Sequence, residues 1–119
     1  MAKKILIVED NVQDAKIIKR NLNKNGYEEL IFASTGEEGL AKAKSEKPDM
    51  IILDINLPQM SGVQVHITLK NDPSTKHIPV LFITNLMKPG DDYEDPNKFL
   101  SKSAPLEDLI KAIKTTLER

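Results

Sequence analysis

Cysteine and tryptophan are both missing from this 119-residue chain, and long hydrophobic runs are missing as well. Without cysteine there is no disulfide framework to staple a small fold. The longest apolar runs have four residues, whereas a membrane helix needs roughly 20, so we expect neither a signal peptide nor a membrane span. These absences favour a cytoplasmic protein.

Aromatic residues and an excess of one charge are also lacking. Aromatics make up 4% of the residues, which leaves few rings to stack on nucleic-acid bases. Lys and Arg total 17 against 18 Asp and Glu, for a net charge of -1, so the charge balance does not favour binding to nucleic acid or to an anionic membrane. The length predicts one domain over residues 1–119.

Three four-residue apolar runs, at 5–8, 50–53 and 80–83, stand out from this background. Each is followed by polar residues suited to metal or phosphate: Glu9 and Asp10, then Asp54, then Thr84. Unbroken apolar runs are typical of parallel strands that helices cover on both faces. The carboxyl ends of such strands face one crevice, so we expect these polar side chains to meet there. Crowded carboxylates repel one another unless a cation lies among them, and Mg²⁺ is the cation that we expect.

Between the runs, capping residues and apolar spacing predict helices. Asn11 starts a helix that ends near Lys24, and Thr35 with Glu38 has capping-box spacing at the start of a second helix. The remaining helices are indicated by apolar residues: Val63, Ile67 and Leu69 for a third, and Leu106, Leu109, Ile110, Ile113 and Leu117 for the last, with Pro105 in its first turn. The third apolar run is expected to form a strand over 79–83. Two further short strands are expected at 30–32 and 99–100.

The stretch between Thr84 and Lys102 breaks this alternation. A fourth crossover helix is expected there, yet residues 88–97 contain two prolines, one glycine, four acids and no aliphatic residue. We therefore expect the fourth crossover helix to be short or absent.

The chain resembles the receiver domain of bacterial two-component response regulators over essentially its whole length, and in particular the single-domain, chemotaxis-regulator-like members. The matching segments are 4–11, 25–27, 36–40, 48–58, Gly62, 78–80, Thr84 and 99–102. The resemblance implies an α/β fold of the flavodoxin-like type, in which a three-layer, doubly wound sheet of five parallel strands has the order 2-1-3-4-5.

The resemblance also implies a function in a phosphorelay. Asp54 would be the phosphoacceptor, taking a phosphoryl group from a sensor histidine kinase or a histidine phosphotransfer protein. A carboxylate needs no general base for this attack, so the transfer depends on positioning and charge neutralisation. Glu9, Asp10, Asp54 and the backbone carbonyl of Asn56 would bind Mg²⁺.

Three further residues receive roles from the same resemblance. Thr84 and Lys102 would stabilise the phosphoryl oxygens. Thr84 and Phe99 would form the switch that changes a surface recognised by an unknown downstream protein target. Each residue also has an ordinary structural alternative, as a strand threonine, a solvated lysine or a core aromatic residue.

Two departures from the family pattern leave an alternative function open. Ser103 stands where the family usually has proline, and Asn85 stands where it prefers a small residue. With the altered fourth crossover, these departures favour a phosphorylation-independent pseudo-receiver that acts as a protein interaction module. A phosphatase with an aspartyl nucleophile would need a second aspartate at position 56, where this chain has Asn56. We therefore expect no enzyme activity beyond loss of the protein's own phosphoryl group.

Overall fold

A computed structural model describes residues 3–84, 99–102 and 104–118. The elements, in chain order, are β1 (Lys4–Val8), α1 (Val12–Lys24), β2 (Glu29–Ala33), α2 (Gly36–Glu46), β3 (Met50–Asp54), α3 (Gly62–Lys70), β4 (Val80–Thr84), β5 (Phe99–Ser101) and α4 (Leu106–Leu117). The expected short or absent crossover helix, Asn85 and Ser103 lie outside the described residues. Across those ranges, no helix combines the length and the apolar character needed to cross a membrane.

All five strands are parallel and form one sheet in the order β2-β1-β3-β4-β5. This confirms the predicted topology. The register aligns the carboxyl ends of neighbouring strands, since Val8 pairs with Leu53 and Asp54 pairs with Ile83. The side chains that follow β1 and end β3 are thereby brought to the same edge of the sheet.

Helices cover both faces of the sheet, which explains the unbroken apolar runs. One face packs against α1 and α4, through Ile5, Ile7, Met50, Ile52, Leu81 and Ile83 on the strands and Ile18, Leu22, Ile110 and Ile113 on the helices. The opposite face packs against α2 and α3, through Leu6, Val8, Ile51, Leu53 and Phe82 on the strands and Ala43, Val65 and Leu69 on the helices. Because successive strand residues point to opposite faces, every residue of β3 is buried, as are all but the first residues of β1 and β4.

The predicted N-cap residues of α1 and α2 are both found, but the capping box of α2 is incomplete. Asn11 caps α1 as predicted, accepting a hydrogen bond from the backbone N–H of Asp14 at 3.0 Å. Thr35 caps α2, but the Glu38 carboxylate accepts from the backbone N–H of Ser34 at 2.7 Å instead of from that of Thr35. The predicted capping box is therefore formed only in part, because the returning carboxylate reaches one residue further back.

Helix α3 forms as predicted, but of the three apolar residues that indicated it only Leu69 faces the core. Val63 and Ile67 are 49% and 53% exposed, whereas Val65 and Leu69 are buried. At the start of α3, Gly62 packs directly on the backbone of Asp54 and Ile55. This contact fixes the rotation of the helix and turns Val63 and Ile67 outward.

The start of α4 lies one residue later than the sequence indicated. Pro105 occupies the N-cap position instead of the first turn, and Leu106, at the first helical position, is 40% exposed. Ile110 and Ile113 are buried, so over most of α4 the apolar residues found in the sequence do face the core.

The close packing at Gly62 predicts that Gly62→Ala destabilises the fold by about 1 to 3 kcal/mol. Alanine favours a helix over glycine by about 1 kcal/mol, but the added methyl group would overlap the backbone of Asp54 and Ile55, which cannot rotate away. Urea unfolding measures the change. The control Val63→Ala, at the exposed neighbouring position, should stay within about 0.5 kcal/mol of the parent. A Gly62→Ala protein as stable as its parent would contradict this packing.

Candidate functional site

Three carboxylates meet at the carboxyl edge of the sheet. Glu9 and Asp10 follow β1 and Asp54 ends β3, and one oxygen from each lies within 4.8 Å of the others. Glu9 and Asp54 are buried, and Asp10 is exposed. An all-oxygen, carboxylate-rich group of this kind fits Mg²⁺. The structure thus brings together the three acids that the strand ends predicted.

The ammonium group of Lys102 enters this acidic group from the end of β5. Its Nζ donates to Glu9 Oε1 at 2.8 Å, to Asp14 Oδ2 at 3.0 Å and to Asp54 Oδ2 at 3.0 Å. The backbone N–H of Lys102 donates to the Thr84 carbonyl at 3.0 Å, which extends the β4–β5 pairing. All three N–H donors of the ammonium are therefore used.

Glu9 is the carboxylate that contacts Lys102 through both of its oxygens. Lys102 Nζ lies 2.8 Å from each of its oxygens, and Oε1 also accepts from the backbone N–H of Asn11 at 3.1 Å. Oε2 is buried and makes no hydrogen bond among the described residues, although the Lys102 ammonium lies 2.8 Å from it. Burial raises the pKa of Glu9 to about 7, helped by the charge of Asp54 and opposed by the hydrogen bond from Lys102. A bound cation would give this buried oxygen a second positive partner.

Lys102 stays charged despite its partial burial. Removal from water favours the neutral amine, but hydrogen bonds to Glu9, Asp14 and Asp54 outweigh that cost. Together they raise the pKa of Lys102 above its ordinary value. The ammonium is therefore a permanent positive charge within the acidic group.

The side chain of Asp54 is held by its two oxygens in different ways. Oδ1 accepts from the backbone N–H of Asn56 at 3.0 Å, and Oδ2 accepts from Lys102. Only 3% of the residue is exposed. The first contact places the backbone of Asn56 beside Asp54, at the start of the loop that leads to α3.

The other two predicted residues occupy the neighbouring strands. Thr84 is buried at the end of β4, where its carbonyl binds the backbone of Lys102. Phe99 begins β5 and stacks on Phe82 with ring centroids 5.1 Å apart. Phe82 also meets His66 of α3 edge to face at 5.0 Å. Phe99 is thus part of an aromatic row that runs from β5 to α3.

Asp14 contacts the site but was not among the site residues predicted from sequence. It lies in the first turn of α1, where an acid also favours the helix dipole, so nothing in the sequence demanded a second role. No short-range spacing indicated that role, because its partner Lys102 lies 88 positions further along the chain.

Comparisons with known proteins agree with this fold and this site. Residues 5–114 match the sequence profile of the response regulator receiver domain. The chain is 35% identical to the polar-differentiation response regulator DivK of Brucella anthropi and to that of Brucella ovis, with 98% of each chain covered in both cases. Receiver domains are signalling modules of two-component systems, and this chain belongs to the response regulator receiver domain family.

Solved structures with the same fold include two regulators from other bacteria. A putative response regulator from Chloroflexus aurantiacus has a TM-score of 0.86 at 28% identity, with all of both chains covered. The chemotaxis protein CheY4 of Vibrio cholerae has a TM-score of 0.83 at 28% identity, covering 98% of this chain and 100% of that one. The predicted family and flavodoxin-like architecture are therefore confirmed.

The position of the Lys102 ammonium predicts that Lys102→Met destabilises the metal-free protein by roughly 2 kcal/mol. The variant leaves the carboxylates of Glu9, Asp14 and Asp54 close together without the positive charge that they share. Urea unfolding in EDTA at about pH 8, above the pKa of Glu9 in the parent protein, measures the loss. Lys111→Met on the exposed face of α4 is the control and should change little. Equal effects of the two substitutions would argue against a charge-compensating role for Lys102.

Proposed function

We propose that this chain is a receiver domain over residues 1–119 that accepts a phosphoryl group on Asp54 and then signals by binding a downstream protein. The donor would be a phosphohistidine on a sensor histidine kinase or on a histidine phosphotransfer protein. One observation carries the proposal: Asp54 is a buried carboxylate that one backbone N–H and one ammonium hold at the edge of the sheet, beside two further acids.

The proposed transfer requires little covalent chemistry from the protein. An oxygen of Asp54 forms a bond to phosphorus while the bond from phosphorus to the donor nitrogen breaks, and the electron pair stays on that nitrogen. The product carries more negative charge than the free carboxylate, so nearby positive charge and hydrogen-bond donors favour it. Lys102, 3.0 Å from Asp54, would contact one phosphoryl oxygen, and the Thr84 hydroxyl would contact another.

The acidic group would hold Mg²⁺ through Glu9, Asp10, Asp54 and the backbone carbonyl of Asn56. The buried Oε2 of Glu9 supports this, because it makes an ion contact with the Lys102 ammonium but no hydrogen bond among the described residues. When bound, the ion supplies positive charge beside the phosphoryl oxygens. The residues Glu9 and Asp10 then act by fixing the position of that charge relative to Asp54.

We assign the switch to Thr84 and Phe99. The Phe99 ring stacks on Phe82 with an angle of 14° between the ring planes. Any large rotation of Phe99 must break this stack, so the proposed switch would move the ring between a stacked and an unstacked state. A phosphoryl group that draws in the Thr84 hydroxyl would bias the choice between them.

An acyl phosphate in the presence of Mg²⁺ tests the phosphoacceptor directly. Intact-mass spectrometry should show the gain of one labile phosphoryl group on the parent protein and none on Asp54→Asn. The exposed acid Asp108, in the first turn of α4, provides the matched control Asp108→Asn, which should be labelled like the parent.

Two outcomes would contradict the proposal. Labelling that survives in Asp54→Asn would mean that another residue is the acceptor. A parent protein that is never labelled, with either acyl phosphate or a phosphorylated histidine donor, would favour the phosphorylation-independent interaction module.

Removal of Mg²⁺ with EDTA should slow the labelling of Asp54 at least about tenfold, since the acids then lack their cation.

A further inference from the structure

We propose that Asp14 is a positioning residue for Lys102, which holds the ammonium at the rim of the acidic group when a divalent cation occupies it. This inference rests on the proposed function of the same site. It assigns to Asp14 the task of keeping Lys102 close to Asp54 without letting it compete with the metal.

The contacts of Lys102 divide into two kinds. Glu9 and Asp54 belong to the group of carboxylates that can share a metal ion, and Asp14 does not. A cation bound to that group and the Lys102 ammonium therefore compete for the same two carboxylates. Asp14, 3.0 Å from Nζ, is the partner that this competition leaves in place.

Local hydrogen bonds fix Asp14 relative to the metal group. Its backbone N–H donates to Asn11 Oδ1 at 3.0 Å, and the backbone N–H of Asn11 donates to Glu9 Oε1 at 3.1 Å. With the contacts of Lys102 to Glu9 and Asp14, these bonds close a ring. The Asp14 side chain is 33% exposed and that of Glu9 is fully buried, so Asp14 marks the outer side of the ring.

The structure also gives the lysine room to move. Asp14 and Lys102 are among the residues that line a cavity of about 230 Å³, whose other walls are mostly apolar and also include Asn21 and Ser101. A charged ammonium does not move into such apolar surroundings without a partner. When a metal draws Glu9 and Asp54 away, the ammonium can shift within this space while it remains bound to Asp14.

An ordinary alternative is that Asp14 acts only through its charge. An acid in the first turn of a helix stabilises the helix dipole, and a partly exposed ion pair contributes little. This alternative and the proposal differ in one respect: the charge alone acts on Mg²⁺ whether or not Lys102 is present, whereas a positioning role requires Lys102.

A double-mutant cycle therefore tests the inference. Mg²⁺ affinity is measured by calorimetric titration for the parent, Asp14→Asn, Lys102→Met and the double variant. In the parent background, Asp14→Asn should weaken Mg²⁺ binding, because the freed ammonium then stays on Glu9 and Asp54. In the Lys102→Met background the same substitution should raise the Mg²⁺ dissociation constant less. The fold-change that it causes there should be smaller than in the parent background by a factor of at least about three.

The Mg²⁺ titration involves no phosphoryl transfer. Its result can therefore contradict the role of Asp14 without bearing on Asp54 as the phosphoacceptor. Equal effects of Asp14→Asn in both backgrounds would overturn the positioning role while leaving Asp54 as the phosphoacceptor. Asp108→Asn, another first-turn acid, is the matched control and should leave Mg²⁺ affinity unchanged. Lys102→Gln repeats the cycle if Lys102→Met unfolds, and urea unfolding verifies that each variant is folded.

Discussion

One ammonium group among three carboxylates is the interaction on which the rest of this site depends. Lys102 joins residues 93, 88 and 48 positions away along the chain, so it ties β1, α1 and β3 to the end of β5. Burial of Glu9 and Asp54 without this charge would be costly, because like charges repel strongly away from water. The lysine thus stands in for a cation in the metal-free protein. In the function proposed above, an incoming metal would compete for the contacts of Lys102 with Glu9 and Asp54.

The doubly wound architecture explains why sequence reasoning succeeded where it did. Central strands of such a sheet are covered on both faces, so their residues form unbroken apolar runs that are easy to find, as at 5–8 and 50–53. The polar residues after those runs must then meet at one edge. Glu9, Asp10 and Asp54 could therefore be grouped before any coordinates were considered. The order of the strands came from the family resemblance, because apolar runs alone do not specify it.

Sequence reasoning was less informative where tertiary contacts choose between equivalent local patterns. Both Val63 and Val65 are compatible with an apolar face of α3, and only the packing of Gly62 against β3 decides which one is buried. Asp14 presents the same difficulty, since an acid near a helix start already has a sufficient local explanation. Its bond to Lys102 depends on bringing together residues 88 positions apart. Such contacts follow from the assembled fold and not from any short stretch of sequence.

The close packing of the first residue of α3 on the end of β3 has an evolutionary consequence. Position 62 leaves no space for any side chain above the strand that carries Asp54, so selection on the chemistry also restricts the helix at its first residue. One residue further on, Val63 points to solvent, as does Ile67 one turn later. Lineages derived from this chain can therefore diversify the outer surface of α3 while the geometry around Asp54 is inherited unchanged.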